Sequence, residues 1–168
     1  MSYGHGISVS LIQMARAYTI FARDGDLIPV TFEKTDSVVK GQRVISDKTA
    51  QQMRLMMESV TQPGGTATQA RIPGYRVAGK TGTAHKLEGG RYVNKYVADF
   101  VGFAPVSKPR VIVAVMVDEP TVGGHFGGVV AAPVFAAITA NVLRSLNVTP
   151  DSSVTSIIPD TTAVQESM

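Results

Sequence analysis

The sequence predicts an α/β (α+β) fold: an antiparallel sheet of about three strands covered by helices. Three observations carry this. Two stretches near the start repeat apolar residues at helical spacing, three strand-like segments joined by short Gly/Pro turns follow between residues 75 and 118, and a last helical repeat begins near Val130.

Ser10 reads as the cap of a first helix, whose Leu11, Met14, Ala15, Tyr18 and Ala22 share a face until Asp24-Gly25 stops it. Ile28–Phe32 and Arg43–Ile45 read as short strands. Ser46 opens a second helix with Ala50, Met53, Met56, Met57 and Val60 on one stripe, ended by Pro63-Gly64-Gly65. The methionines read as core packing. Tyr75–Ala84, Tyr92–Phe103 and Arg110–Asp118 then form a meander, turning at Gly89-Gly90 and between Ala104-Pro105 and Lys108-Pro109. The last strand is apolar on both faces, so helices are expected on both sides of the sheet. One cover is the helix from about Val130, with Val134, Phe135, Ile138, Val142 and Leu146 inward. Residues 150–168, rich in Ser, Thr, Asp and Pro, read as a disordered tail after a domain spanning 1–149.

The 168 residues suit one domain, or a large piece of one, and 44% apolar against 17% charged residues point to a well-buried fold. The net charge of +3 is mild and the basic residues are scattered, which argues against a nucleic-acid partner. Cysteine is absent, and His5, His85 and His125 have no ligand spacing, so no metal or thiolate chemistry is expected. No run of about 20 apolar residues spans a bilayer.

Chemistry concentrates in Ala78-Gly-Lys-Thr-Gly-Thr-Ala84. With Gly74 it satisfies G-x-x-x-x-G-K-[ST], the phosphate loop, and Val111–Val117 with Asp118-Glu119 imitates the acidic strand of nucleotide binders. A phosphate loop needs a helix starting at its lysine, however. Gly82 and the Gly89-Gly90 turn leave no room for one. As an edge strand the same residues read differently. Thr81 and Thr83, two apart, put their hydroxyls on one face for a ligand carboxylate, and Lys80 adds positive charge. Gly82 lets an extended peptide approach, and the Thr83 amide is a candidate oxyanion donor, a contact worth roughly 3 kcal/mol in acyl transfer. The bland reading is a solvated edge strand.

Further motifs accompany it. They are Ser2-Tyr-Gly-His-Gly6 before the Leu-Ile-Gln-Met-Ala-Arg-Ala-Tyr helix, Gly64-Gly65-Thr66, Val101-Gly-Phe-Ala-Pro105, Val117-Asp-Glu-Pro120 and Gly127-Gly-Val-Val-Ala-Ala-Pro-Val-Phe135. Together, from residue 2 to about 148, they resemble the class B penicillin-binding proteins, in their division-specific peptidoglycan D,D-transpeptidase branch. The resemblance implies part of a penicillin-binding-protein/β-lactamase-like transpeptidase fold, with serine acyl transfer from D-Ala-D-Ala stem peptides and acylation by β-lactams. It implies no cofactor. It makes Lys80 and Thr83 catalytic, and puts Thr81, Gly82, Thr83, Ala84, Tyr96, His125 and Phe126 around the substrate. Tyr96 reads equally as an ordinary strand aromatic. His125 stands where a tyrosine is expected, and His85 where arginine is common.

The family's S-x-x-K nucleophile and S-x-N motif are expected upstream of these residues. Ser37-Val-Val-Lys40 fits the first pattern but is a poor helix start, and Ser145-Leu-Asn147 falls at a helix end. The resemblance therefore implies the C-terminal half of a transpeptidase domain, inactive alone, whose partners are the other half of that domain and cell-division proteins. It implies a place on the periplasmic face of the bacterial inner membrane for the full-length protein. A phosphate-loop nucleotide binder and a non-catalytic D-Ala-D-Ala-binding module are the alternatives.

Overall fold

A computed structural model describes residues 7–37 and 39–153. The motif at residues 2–6 lies outside them. Helix α1, Leu11–Ala22, starts in a capping box: Ser10 Oγ accepts from the Gln13 amide, and Gln13 Oε1 accepts from the Ser10 amide at 2.8 Å. Asp24 and Gly25, both at positive φ, end it. Helix α2, Asp47–Ser59, is capped by Ser46, whose Oγ accepts from the Thr49 amide at 3.1 Å.

Between them lies a two-stranded ribbon smaller than expected, β1 Asp26–Leu27 paired with β2 Gln42–Arg43. Ile28–Phe32 forms no strand. Side chains of α1 take the backbone groups of Ile28: its amide donates to Thr19 Oγ1 at 3.3 Å and its carbonyl accepts from Arg16 Nε at 2.8 Å. The second strand ends at Arg43 because the amides of Val44 and Ile45 both donate to the Gly25 carbonyl.

The three-stranded meander forms as the sequence reads, but its first strand runs Ala78–Glu88 rather than Tyr75–Ala84. Strands β3 Ala78–Glu88, β4 Arg91–Ala104 and β5 Val111–Asp118 pair antiparallel in the order β3-β4-β5. Apolar layers cover both faces. Phe100, Val115, Val113 and Val117 meet Phe135 and Leu143, while Phe103, Ala78 and Ile112 meet Met57, Tyr18 and Phe21 of α1 and α2. The expected C-terminal helix is two, α3 Gly127–Val130 and α4 Ala132–Ser145.

The break resets the helical phase. Ala132, Phe135, Thr139 and Leu143 are the buried stripe of α4, Phe135 meeting Phe100 edge-on at 4.8 Å, whereas Val134, Ile138 and Leu146 face outward. Met56 of α2 also points to solvent.

Two clasps hold the ends of the sheet. Lys86 falls where the β3–β4 register slips between His85 and Leu87. Its Nζ bonds Asp118 Oδ1 at 3.0 Å and Glu119 Oε1 at 2.7 Å, spanning all three strands. A bulge re-aims a side chain in this way. At the other end Asp151 accepts from the amides of Arg76 at 2.7 Å and Ser107 at 3.0 Å, and its own amide donates to the Gly74 carbonyl. Asp151 and Ser152, the first residues after Pro150, are thus fastened to the domain. Residues 154–168 lie outside the described part.

Candidate functional site

Strand β3 is an edge of the sheet among the described residues, and Lys80, Thr81, Gly82 and Thr83 lie in its ladder with β4, opposite Val101, Phe100, Asp99 and Ala98. No helix springs from Lys80. The phosphate-loop pattern therefore lacks the helix N-terminus that its chemistry requires.

Alternation divides the motif. Thr81, Thr83 and His85 share the α3/α4 face with Phe100, Ala98 and Tyr96, while Lys80, Gly82 and Ala84 share the α1 face with Val101, Asp99 and Val97. The two threonine hydroxyls thus stand on one side, as their spacing implies. Ala84 does not join them; with Val97, Asp99 and Val101 it lines a groove of about 460 Å³ beside the start of α1.

Three backbone segments converge on the threonines. Thr66 Oγ1 lies 3.3 Å from Thr81 Oγ1, and Thr83 Oγ1 accepts from the Gly127 amide at 3.1 Å. Glycine makes this approach possible. A Cβ at Gly127 would sit 2.1 Å from the Asp99 carbonyl oxygen, and one at Gly128 1.9 Å from that of Thr66. The Gly64-Gly65-Thr66 loop, β3 and α3 are therefore packed backbone to backbone. Lys80 reaches around the edge, its Nζ donating to the Thr81 carbonyl at 2.9 Å and lying 3.5 Å from Thr81 Oγ1.

An aromatic file continues from the threonines. Tyr96 stacks on His125 at 3.8 Å and 12°, His85 lies against its ring at 4.5 Å, and Phe126 meets His125 at 4.4 Å. The Tyr96 hydroxyl donates to Asn94 Oδ1 at 2.9 Å, and His85 Nδ1 sits 3.1 Å from the Val93 carbonyl. Phe126 is exposed and caps α3 directly beside Gly127. The structure brings Tyr96, His125 and Phe126 together and adds His85.

Thr66, Gly127 and Asp99 were not among the expected site residues. Asp99 is the one acid in Val97–Ala104, which marks it, but only the register puts it opposite Gly82. Burial pushes its carboxyl up, and the Lys80 charge pulls it partly back. Tyr18 is pushed up to about 12, first by burial and then by the Asp99 charge.

Of the decoy serines, Ser37 is exposed in a loop and Ser145 is the last residue of α4. Neither stands near the threonines' strand in sequence or register. Among the described residues there is no His/Cys/Asp/Glu group suited to a metal, and no helix long and apolar enough to cross a membrane.

Comparison with known proteins agrees with this geometry. The model of the penicillin binding protein transpeptidase domain matches residues 1–140. The chain is 53% identical over 151 residues to the probable peptidoglycan D,D-transpeptidase PenA of Neisseria flavescens, covering 89% of this chain and 38% of the relative. It is 44% identical over 155 residues to the peptidoglycan D,D-transpeptidase FtsI of Escherichia coli K12, covering 92% and 26%. Among solved structures, the apo transpeptidase domain of Burkholderia pseudomallei penicillin-binding protein 3 superposes with a TM-score of 0.84 at 57% identity, covering 90% of this chain and 47% of that one. The chain thus spans well under half the length of these curated relatives.

Proposed function

The chain belongs to the penicillin-binding-protein transpeptidase family, and from that membership we propose that it is the substrate-gripping part of a peptidoglycan D,D-transpeptidase. The observation that carries this is the pair of hydroxyls, Thr81 and Thr83, on one face of an edge strand with Lys80 curled against Thr81. An anionic peptide terminus meets hydroxyl donors and an ammonium there. Its backbone adds to the free edge of β3 as a further strand.

In the complete reaction a serine oxygen attacks the carbonyl between the two D-alanines, and the terminal D-alanine leaves with a proton. The acyl-serine ester is then attacked by an amine of a neighbouring stem peptide, which releases the serine hydroxyl and forms the cross-link. The Thr83 amide would hold the oxyanion and Lys80 would supply charge beside the serine. The Tyr96, His125 and Phe126 file would bound the ligand beyond Thr83. A β-lactam would enter the same geometry by its carboxylate. The nucleophile comes from a segment other than Ser37 or Ser145, and the part spanning 1–149 serves as the C-terminal half of the domain. Its setting is septal wall synthesis on the periplasmic face of the inner membrane, beside division proteins.

The test is binding of N,N′-diacetyl-L-Lys-D-Ala-D-Ala, followed by amide chemical shifts. Shifts concentrated at Thr81, Gly82, Thr83 and Gly127, abolished by Thr81→Val with Thr83→Val, are expected. Shifts elsewhere, or none, sink the reading. A fluorescent penicillin is expected to label no serine of this chain.

A further inference from the structure

One charged group beside the motif, Asp99, has no part in that scheme. Asp99 is the cross-strand partner of Gly82 and lies opposite Met116 on its other side. A Cβ on Gly82 would stand 2.4 Å from both Asp99 carboxylate oxygens, so the carboxylate occupies the space above Gly82 that a side chain would fill. The acid thus leans across the ladder toward the edge, on the face that carries Lys80. Lys80 and Asp99 are diagonal neighbours on that face, about 7–8 Å apart by sheet geometry and within reach of a long side chain. Most of the remaining lining there is apolar, including Val97, Val101, Met116 and Met14, with Ser8 and Ser10 at the start of α1. The titratable groups facing Asp99 are Lys80 from β3 and Tyr18 from α1.

We propose that Asp99 is a positioning residue for Lys80: its carboxylate, seated over Gly82 on the α1 face, attracts the ammonium that rests against Thr81 and so competes for it with a ligand carboxylate on the Thr81/Thr83 face. The inference rests on the peptide-gripping reading above. Without Asp99 the ammonium against Thr81 serves a ligand carboxylate alone, so the free acid binds more tightly. The glycine of the motif then has a second use, since it vacates the seat the acid takes. Burial already raises the Asp99 carboxyl and Lys80 lowers it, so removing the lysine should raise it further.

The experiment is a double-mutant cycle on the whole chain, with N,N′-diacetyl-L-Lys-D-Ala-D-Ala and its C-terminal amide as probes. Asp99→Asn is expected to tighten binding of the free acid by roughly 3- to 10-fold, the coupling range of close charge pairs, and to leave the amide unchanged. In the Lys80→Ala background the gain should vanish. Unchanged or weaker binding in Asp99→Asn, or a gain that survives loss of Lys80, overturns the proposal, and a merely structural acid would produce one of those results. In parallel, carboxyl carbon shifts follow the Asp99 titration without ligand. Lys80→Ala should raise its midpoint and Lys80→Arg restore it, and an unmoved midpoint overturns the pairing. If the peptide binds no variant, the gripping reading fails and the competition with it, while the titration still decides whether the two groups are paired.

Discussion

The hydroxyl of Thr83 accepts a hydrogen bond from the amide of Gly127 at 3.1 Å, so the strand that carries Lys80–Thr83 is tied to the first turn of α3. In the proposed function that hydroxyl has two tasks, one structural and one toward a ligand.

Replacing it separates them. Thr83→Val keeps the shape but leaves the part-buried Gly127 amide without its partner, at a cost of about 1 kcal/mol. Thr83→Ser keeps the acceptor and should retain most of the stability. Urea midpoints of the three proteins check the order.

Gly127→Ala should be worse than its small volume suggests. The new Cβ would lie 2.1 Å from the Asp99 carbonyl oxygen and 2.6 Å from that of Gly82, both backbone atoms that do not swing aside. A loss of roughly 1–3 kcal/mol is expected, the usual cost of overpacking. Amide shifts should report separation of α3 from β3.

Asp99 also makes stability depend on pH. Its folded carboxyl is raised, chiefly by burial, so the folded state binds the proton more tightly than the unfolded chain. The stability cost of ionising it is absent below the unfolded value, grows with pH, and is complete above the folded one. Asp99→Asn should therefore gain on the wild type as pH rises from the ordinary carboxylate value through the raised folded one. Glu119 is lowered by Lys86 and acts with the opposite sign, so the difference between the two proteins is the quantity to plot. A constant difference across pH contradicts the prediction.

Asp151→Ala should release the segment after α4. One carboxylate serves the amides of Arg76 and Ser107, and neither has a substitute in a methyl group. A loss of about 1 kcal/mol follows, chiefly from the part-buried Arg76 amide, since water can serve the exposed Ser107 amide. Faster amide exchange at Arg76 and Ser107 is the local check.

Strand β5 is the other edge of the sheet among the described residues, with Met116 half exposed on the α1 side. An open apolar edge invites pairing between copies. The isolated chain should scatter light at high concentration, and Met116→Lys should reduce that scattering with little change in melting temperature.

Much of this architecture was legible before any coordinates. Ser10 and Ser46 announce their helices because capping is a local interaction of three or four residues. The meander follows from alternation and from turns too short for anything but antiparallel pairing. What escaped depends on contacts remote in sequence. Ile28–Phe32 has strand composition, but α1 claims the Ile28 backbone, so no ladder begins there. The inward stripe of α4 shifts because Ala131 interrupts the helix, a break set by how Gly127 and Gly128 nest on β3 and Thr66. The Thr81/Thr83 pair could be read from spacing alone. Thr66, Gly127 and Asp99 could not, since each joins the site through a register or a loop approach that no local pattern encodes.

The Lys86 clasp carries a practical consequence. Its charges, on β3 and at the end of β5, are open to solvent in part or more, so dissolved ions compete with the contacts it makes. In concentrated salt the far half of β3 should fray from its neighbour, while the threonine end, fastened by backbone packing instead, stays in place. Buffers chosen for crystallisation and buffers chosen for physiology would then present a visiting peptide with docking rails of different length.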